Sequence, residues 1–227
     1  MDHSHPVILY PLLTISALLP PLWAKPPIPT PPETPVLGEI EPWLFDNILH
    51  AEDVDGSLAK VHEKPGFRAL VKKHKLRIFG GPMVSSVTEN SAVIWLRTPQ
   101  PESIRLEVKD TSGKTVATAS AKTSMKNDLT EKLHATGLKP LARYTYTLAD
   151  GKGKIPLDNA AFRTAPTQGQ KSNIRVGFGG GARYNHPKEY IWDTIAKLNP
   201  DIFLFLGDNL YQDDPQHRNL QRVYYYR

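Results

Sequence analysis

The chain has 227 residues, 40% hydrophobic and 22% charged, with 28 Lys and Arg against 23 Asp and Glu for a net charge of +5. That is enough apolar material for one or two cored domains and excludes a wholly disordered chain. Cysteine is absent, which excludes disulfides, zinc–thiolate clusters, thiol nucleophiles and a lipoprotein anchor, and leaves oxygen and nitrogen to ligate any metal.

Val7 to Trp23 is apolar and resembles a secretory h-region, with Ala24 before Lys25 as a cleavage point, so residues 1–24 are predicted to be a signal peptide. Pro11 interrupts the run, and a membrane span needs about 20 apolar residues. Export to a secreted or periplasmic location is therefore expected, without a stable membrane span. Prolines at 26, 27, 29, 31, 32, 35 and 42 predict an extended linker. Leu58, Val61, Phe67, Leu70 and Val71 then recur at loosely helical spacing, broken at Pro65-Gly66. Residues 25–75 thus read as a proline-rich linker and helical lead-in. The densest basic cluster, Arg68, Lys72-Lys73-His74-Lys75 and Arg77, reads as a solvated helix face, and no nucleic-acid partner is expected.

From about Arg77 the apolar period changes to two. Ile104, Leu106 and Val108 alternate with Arg105, Glu107 and Lys109, and Tyr144, Tyr146 and Leu148 with Thr145 and Thr147. Such alternation marks strands with one wet face, and turn signals between them predict an antiparallel β-sandwich over residues 76–166. Leu138-Lys139-Pro140 followed by Tyr144 resembles the tyrosine corner of fibronectin type III-like domains, where the phenol ties a corner to backbone. Trp95 reads as a core anchor of the same sandwich.

After the polar linker Ala165 to Gln170, Ile174 to Phe178 reads as a short strand ending in Gly179-Gly180-Gly181. Lys188 to Leu198 reads as a helix stopped by Asn199-Pro200, and Ile202 to Leu206 as an apolar strand buried on both faces. Strand, helix and strand make a βαβ unit with parallel strands, and ligands of such sheets gather at the carboxyl ends of the strands. Gly207-Asp208-Asn209-Leu210-Tyr211 lies at that edge. A turn there would bring Asp208 and Tyr211 within about 7 Å between Cα atoms, placing a carboxylate and a phenol beside one hard cation. Spacing alone fits an ordinary turn, in which Asp208 accepts a local hydrogen bond, more readily than a metal site. Arg183 and His186 are phosphate or acid–base candidates against the commoner reading of solvated loop residues. Gly177 to Ala182 formally satisfies the G-x-G-x-x-A dinucleotide fingerprint, but the helix follows too late for that reading.

Pro200 to Tyr211, with Arg175-Val176-Gly177-Phe178-Gly179 before it and Gly80-Gly81-Pro82-Met83 and Ser91 to Arg97 upstream, resembles the alkaline phosphatase D (PhoD-like) metallophosphatase family. The resemblance covers about residues 76–227 and implies a mixed fold: a β-sandwich followed by the first βαβ unit of an α/β catalytic domain, over residues 172–227. It implies phosphate mono- or diester hydrolysis with divalent or trivalent metal ions, iron and calcium among them. Asp208 resembles the family's metal-bridging, catalytic aspartate, and Tyr211 its tyrosinate ligand to ferric iron. Asn209 would lie beside the metals without ligating them. The family often has a cysteine ligand where this sequence has Gly181. It also draws further Asn, His and Asp ligands from later strands, for which Asp213, Asp214 and His217 do not obviously substitute. An incomplete metallophosphatase with little activity is expected, the alternative being an exported β-sandwich binding module with a vestigial catalytic segment.

Overall fold

The structure is a computed structural model that describes residues 38–49, 58, 60–181, 190–211 and 218–226. Residues 1–37, including the predicted signal peptide, lie outside the described residues, as do Arg183, His186, Asp213, Asp214 and His217. No helix among the described residues is long and apolar enough to cross a membrane.

The fold is mostly antiparallel β-sheet with a few helices. One sheet pairs β1 (Gly80–Ser85), β2 (Ser91–Arg97) and β5 (Thr130–Thr136) in the order β1-β2-β5. The other pairs β4 (Thr115–Lys122), β3 (Ser103–Lys109), β6 (Arg143–Asp150) and β7 (Gly153–Ile155), with β8 (Ala161–Arg163) also on β6. The period-two pattern faces inward as the alternation predicts. Ala92, Ile94 and Leu96 of β2 meet Ile104, Leu106 and Val108 of β3 and Tyr144, Tyr146 and Leu148 of β6 in one core. Burying each large member contributes about 1.5–3 kcal/mol relative to leaving it in water. The tyrosine corner forms: Tyr144 is 4% exposed, and its hydroxyl accepts the Lys139 backbone N–H at 2.8 Å.

Trp95 departs from the sequence reading. It sits on the side of β2 opposite Ile94 and Leu96 and is only half-buried, because strand period assigns odd residues of β2 to the outer face. The last of these, Arg97, is nevertheless fully buried. Its guanidinium lies 5.0 Å from the centre of the Phe79 ring, and its Nε donates to the Asp128 carbonyl at 3.1 Å.

A second core occupies the region predicted to be proline-rich linker and helical lead-in. Ile40–Leu44 is an α-helix (α1) continued by a π-helical turn, Phe45–Leu49. Their apolar side packs with Val61, Phe79 and Phe67 of α2 (Pro65–Lys73). Pro42 is compatible with α1 because it is the third helical residue, where the N–H has no intrahelical partner to lose. Gly66 allows close approach of α2: a Cβ there would stand 2.8 Å from Trp43 Nε1. The basic cluster on α2 is largely solvated, with Lys73 Nζ on the Glu39 carboxylate at 2.6 Å. Arg77 is the exception, since it binds the Asp150 carboxylate, which is 2% exposed, and the Gly153 carbonyl at 2.6 Å. Burial raises the Asp150 pKa, but the Arg77 guanidinium and the Lys152 N–H outweigh it and hold the carboxyl below its ordinary value.

Beyond the sandwich, β9 (Val176–Gly179) and β10 (Ile202–Phe205) pair in parallel, with α3 (Tyr190–Leu198) between them in sequence. Trp192 of α3 packs edge-on against Phe203, ring centres 5.3 Å apart. The expected burial on both faces of β10 is not found: Ile202, Leu204 and Leu206, on the face away from Phe203, are 48–66% exposed. Burial on both faces requires a covering layer on each side, and α3 covers one only in part, leaving Phe205 57% exposed. Finally α4 (Arg218–Tyr226) returns to the second core through Val223.

Candidate metal-binding edge

The loop after β10 is held by backbone. Leu206 N–H donates to the Gly179 carbonyl at 2.9 Å, and Gly181 N–H to the Asp208 carbonyl at 3.1 Å, so the ends of β9 and β10 leave the sheet together. Gly180 is needed for this approach, because a Cβ there would stand 2.5 Å from the Gly207 carbonyl oxygen. The turn then takes two positive-φ residues, Gly207 at 112° and Asp208 at 48°. Glycine suits the first, and aspartate is among the few side chains that tolerate the second.

This turn brings Asp208 and Tyr211 together, as their spacing predicts. The Tyr211 hydroxyl donates to the Asp208 carboxylate at 3.0 Å, and both side chains are exposed. The position of a Cβ on Gly181 would lie 4.0 Å from the Tyr211 hydroxyl, so the β9 loop faces the same point. Leu210, between the two polar residues, packs against the second core. The turn that carries the polar pair is thus tied to the second core by one apolar side chain, a role that the sequence alone did not disclose. Beside the loop an apolar cleft of about 750 Å³ is lined by Ile191, Trp192, Phe203, Phe205 and Asn209, with Gly179 to Gly181.

The oxygen pair partly fits a hard cation. Two neighbouring oxygen ligands of an octahedral ion at about 2.0–2.1 Å stand about 3 Å apart, which the 3.0 Å separation matches. Two donors are fewer than the six or more that such ions take. Among the described residues no group of three or more His, Cys, Asp or Glu gathers to supply the rest. Of the glycines that formally match a dinucleotide fingerprint, Gly177 is explained by packing, since a Cβ there would stand 2.9 Å from the Phe203 ring.

Comparison with known proteins matches the sandwich first. A family described as a domain of unknown function, DUF7800, covers residues 75–167. Among solved structures the chain is similar to one described as the structure of PhoD, with a TM-score of 0.52 and 22% identity, over 57% of this chain and 27% of that one. It also resembles a human fibronectin type III domain, with a TM-score of 0.34 and 13% identity over 48% and 89% of the two chains. For the FN5 domain of Drosophila Lar the values are 0.28 and 16%, over 38% and 92%. No curated protein matches. The PhoD likeness is one of fold, and it takes in more of the chain than residues 75–167 supply. The chain spans about a quarter of the length of that structure.

Proposed function

We propose that the β10 loop is part of the metal site of a phosphoesterase of the alkaline phosphatase D type, acting on phosphate mono- or diesters. The observation that carries this reading is the Asp208–Tyr211 oxygen pair, 3.0 Å apart at the carboxyl edge of a parallel strand pair. The Gly-Asp-Asn-Leu-Tyr block itself supports it, and the chain's fold likeness to PhoD is compatible with it. Asp208 and Tyr211 would hold a hard ion, with iron and calcium as the candidates. Bound there, such an ion would supply a water of lowered pKa and polarise the phosphoryl oxygens. Asp208 would contribute a charge that offsets the cation. Gly207 and Gly180 let the backbone place that charge at the strand end, and Leu210 fixes the turn. Among the described residues the site offers two donors, fewer than a pair of metals takes. Export of the protein belongs to the same proposal.

Asp208→Asn is the direct test, because asparagine also accepts a left-handed backbone and the turn should survive. Metal content of the purified protein should fall while the fold persists; unchanged metal would overturn the site. A second reading, a β-sandwich binding module, is favoured by one observation: the family match stops at residue 167. Metal-independent behaviour of both Asp208→Asn and Tyr211→Phe would favour it.

A further inference from the structure

We infer that a second polar site, at the opposite end of the parallel strand pair, binds a phosphoryl anion. A cleft of about 460 Å³ between β6, β8 and the start of β9 and β10 is lined by Arg143, Arg163, Arg175 and Asp201, with Asn173 and Asn199. Its volume is within the roughly 300–1,000 Å³ of small-ligand sites. Asp201 precedes β10 and Asp208 follows it, so at about 3.3 Å per residue the cleft lies on the order of 20 Å from the metal edge. It does not depend on the reading of Asp208.

The charge arrangement is what needs a ligand. Arg143 and Arg163 are direct cross-strand partners on β6 and β8, and like charges directly opposite one another destabilise a sheet. Asp201 offsets one of them: Arg163 Nη1 donates to its carboxylate at 3.2 Å, and the Arg175 backbone N–H donates to its other oxygen at 3.0 Å. Both oxygens of Asp201 are thereby engaged. The Arg175 guanidinium donates to the Leu198 carbonyl, which is neutral and leaves its charge uncompensated. The Asp201 carboxyl is held below its ordinary pKa, chiefly by the Arg175 N–H and against the effect of burial, with Arg163 and Arg143 adding to the lowering. It therefore stays ionised and cannot adapt. The Arg163 and Arg143 charges act on the single Asp201 carboxylate and Arg175 lines the same cleft, so positive side-chain charge exceeds negative there, which suits a phosphoryl oxyanion. Guanidinium groups pair with phosphoryl oxygens through parallel N–H donors, and the two asparagine amides add neutral donors at the same cleft. The sequence did not disclose this site, because Arg143 and Arg163 are 20 residues apart and meet only through strand register.

The test is calorimetric titration of the full chain with inorganic pyrophosphate, in chelator and against chloride at matched ionic strength. Saturable binding is expected, weakened about tenfold in Arg143→Gln for one lost charge-assisted contact and largely kept in Arg143→Lys. Arg105→Gln, an exposed arginine on β3 paired with Glu107, should bind as wild type. Phenyl phosphate separates two sources of the anion. Its binding beside pyrophosphate marks a phosphoryl end on an organic carrier, binding of pyrophosphate alone marks a free ion, and both support the site. Amide resonances of Arg175 and Asp201 should move on titration of wild type, which keeps the test independent of variant folding. Absence of saturable binding, equal affinity in Arg143→Gln, or equal weakening in Arg105→Gln would overturn it.

Discussion

Gly180→Ala tests whether the close approach of two glycine loops sets up the Asp208–Tyr211 turn. The new Cβ would stand 2.5 Å from the Gly207 carbonyl oxygen, against a lower limit of 3.0 Å for real Cβ contacts. Backbone faces backbone there, so no flexible side chain yields. The loops must part by at least about 0.5 Å, and the two flanking hydrogen bonds, at 2.9 and 3.1 Å, stretch toward or past their limit. Loss of both costs about 2 kcal/mol at about 1 kcal/mol each. That converts to roughly 30-fold faster local opening. Hydrogen exchange of the Leu206 and Gly181 amides reads this directly, and both should accelerate by about that factor while the sandwich amides stay unchanged. Gly113→Ala is a suitable contrast, since nothing lies within 4 Å of a Cβ there and its cost is only the strain of φ 84°. Unchanged exchange at Leu206 and Gly181 in Gly180→Ala would refute the reasoning.

Tyr144→Phe should lower sandwich stability by about 1–2 kcal/mol, or roughly 4–8 °C in Tm for each kcal/mol, because the Lys139 N–H loses its acceptor; thermal circular dichroism measures it. Arg77→Leu should cost about 3 kcal/mol at neutral pH by leaving the Asp150 carboxylate buried and unpaired. Since the folded pKa of Asp150 is depressed, the wild-type contribution is present above the ordinary carboxylate pKa and is lost as pH falls through the folded value. Denaturant titrations at several pH values should accordingly show the gap between wild type and variant narrowing below about pH 4. Leu210→Ala should destabilise by about 1–2 kcal/mol, below the 2–5 kcal/mol of a fully buried leucine, and increase exchange around Asp208 more than in the sandwich.

The sandwich was legible because period-two alternation is a local property, and Ile104, Leu106, Val108, Tyr144, Tyr146 and Leu148 all face inward as it requires. The meeting of Asp208 and Tyr211 was legible for the same reason, a turn of fixed span. Residues 38–49 were not. Prolines upstream suggested an extended chain, whereas the helix at Ile40–Leu44 gains its burial from Phe67, Phe79 and Val223, partners far along the chain that no window reveals. Trp95 was assigned to the core by its size, but strand register puts it on the outer face. The expected burial of Ile202 to Leu206 followed from composition, and composition does not say how many layers cover a sheet. Leu210 carried no signal apart from its place between two polar residues.

The central claim, that Asp208 and Tyr211 share a hard cation, is tested most directly by visible absorption of the protein after addition of ferric iron as a chelate complex. The account predicts a phenolate-to-iron band in wild type that disappears in Tyr211→Phe and is largely lost, with bound iron, in Asp208→Asn. A band that persists in Tyr211→Phe, or bound iron undiminished in Asp208→Asn, would contradict it.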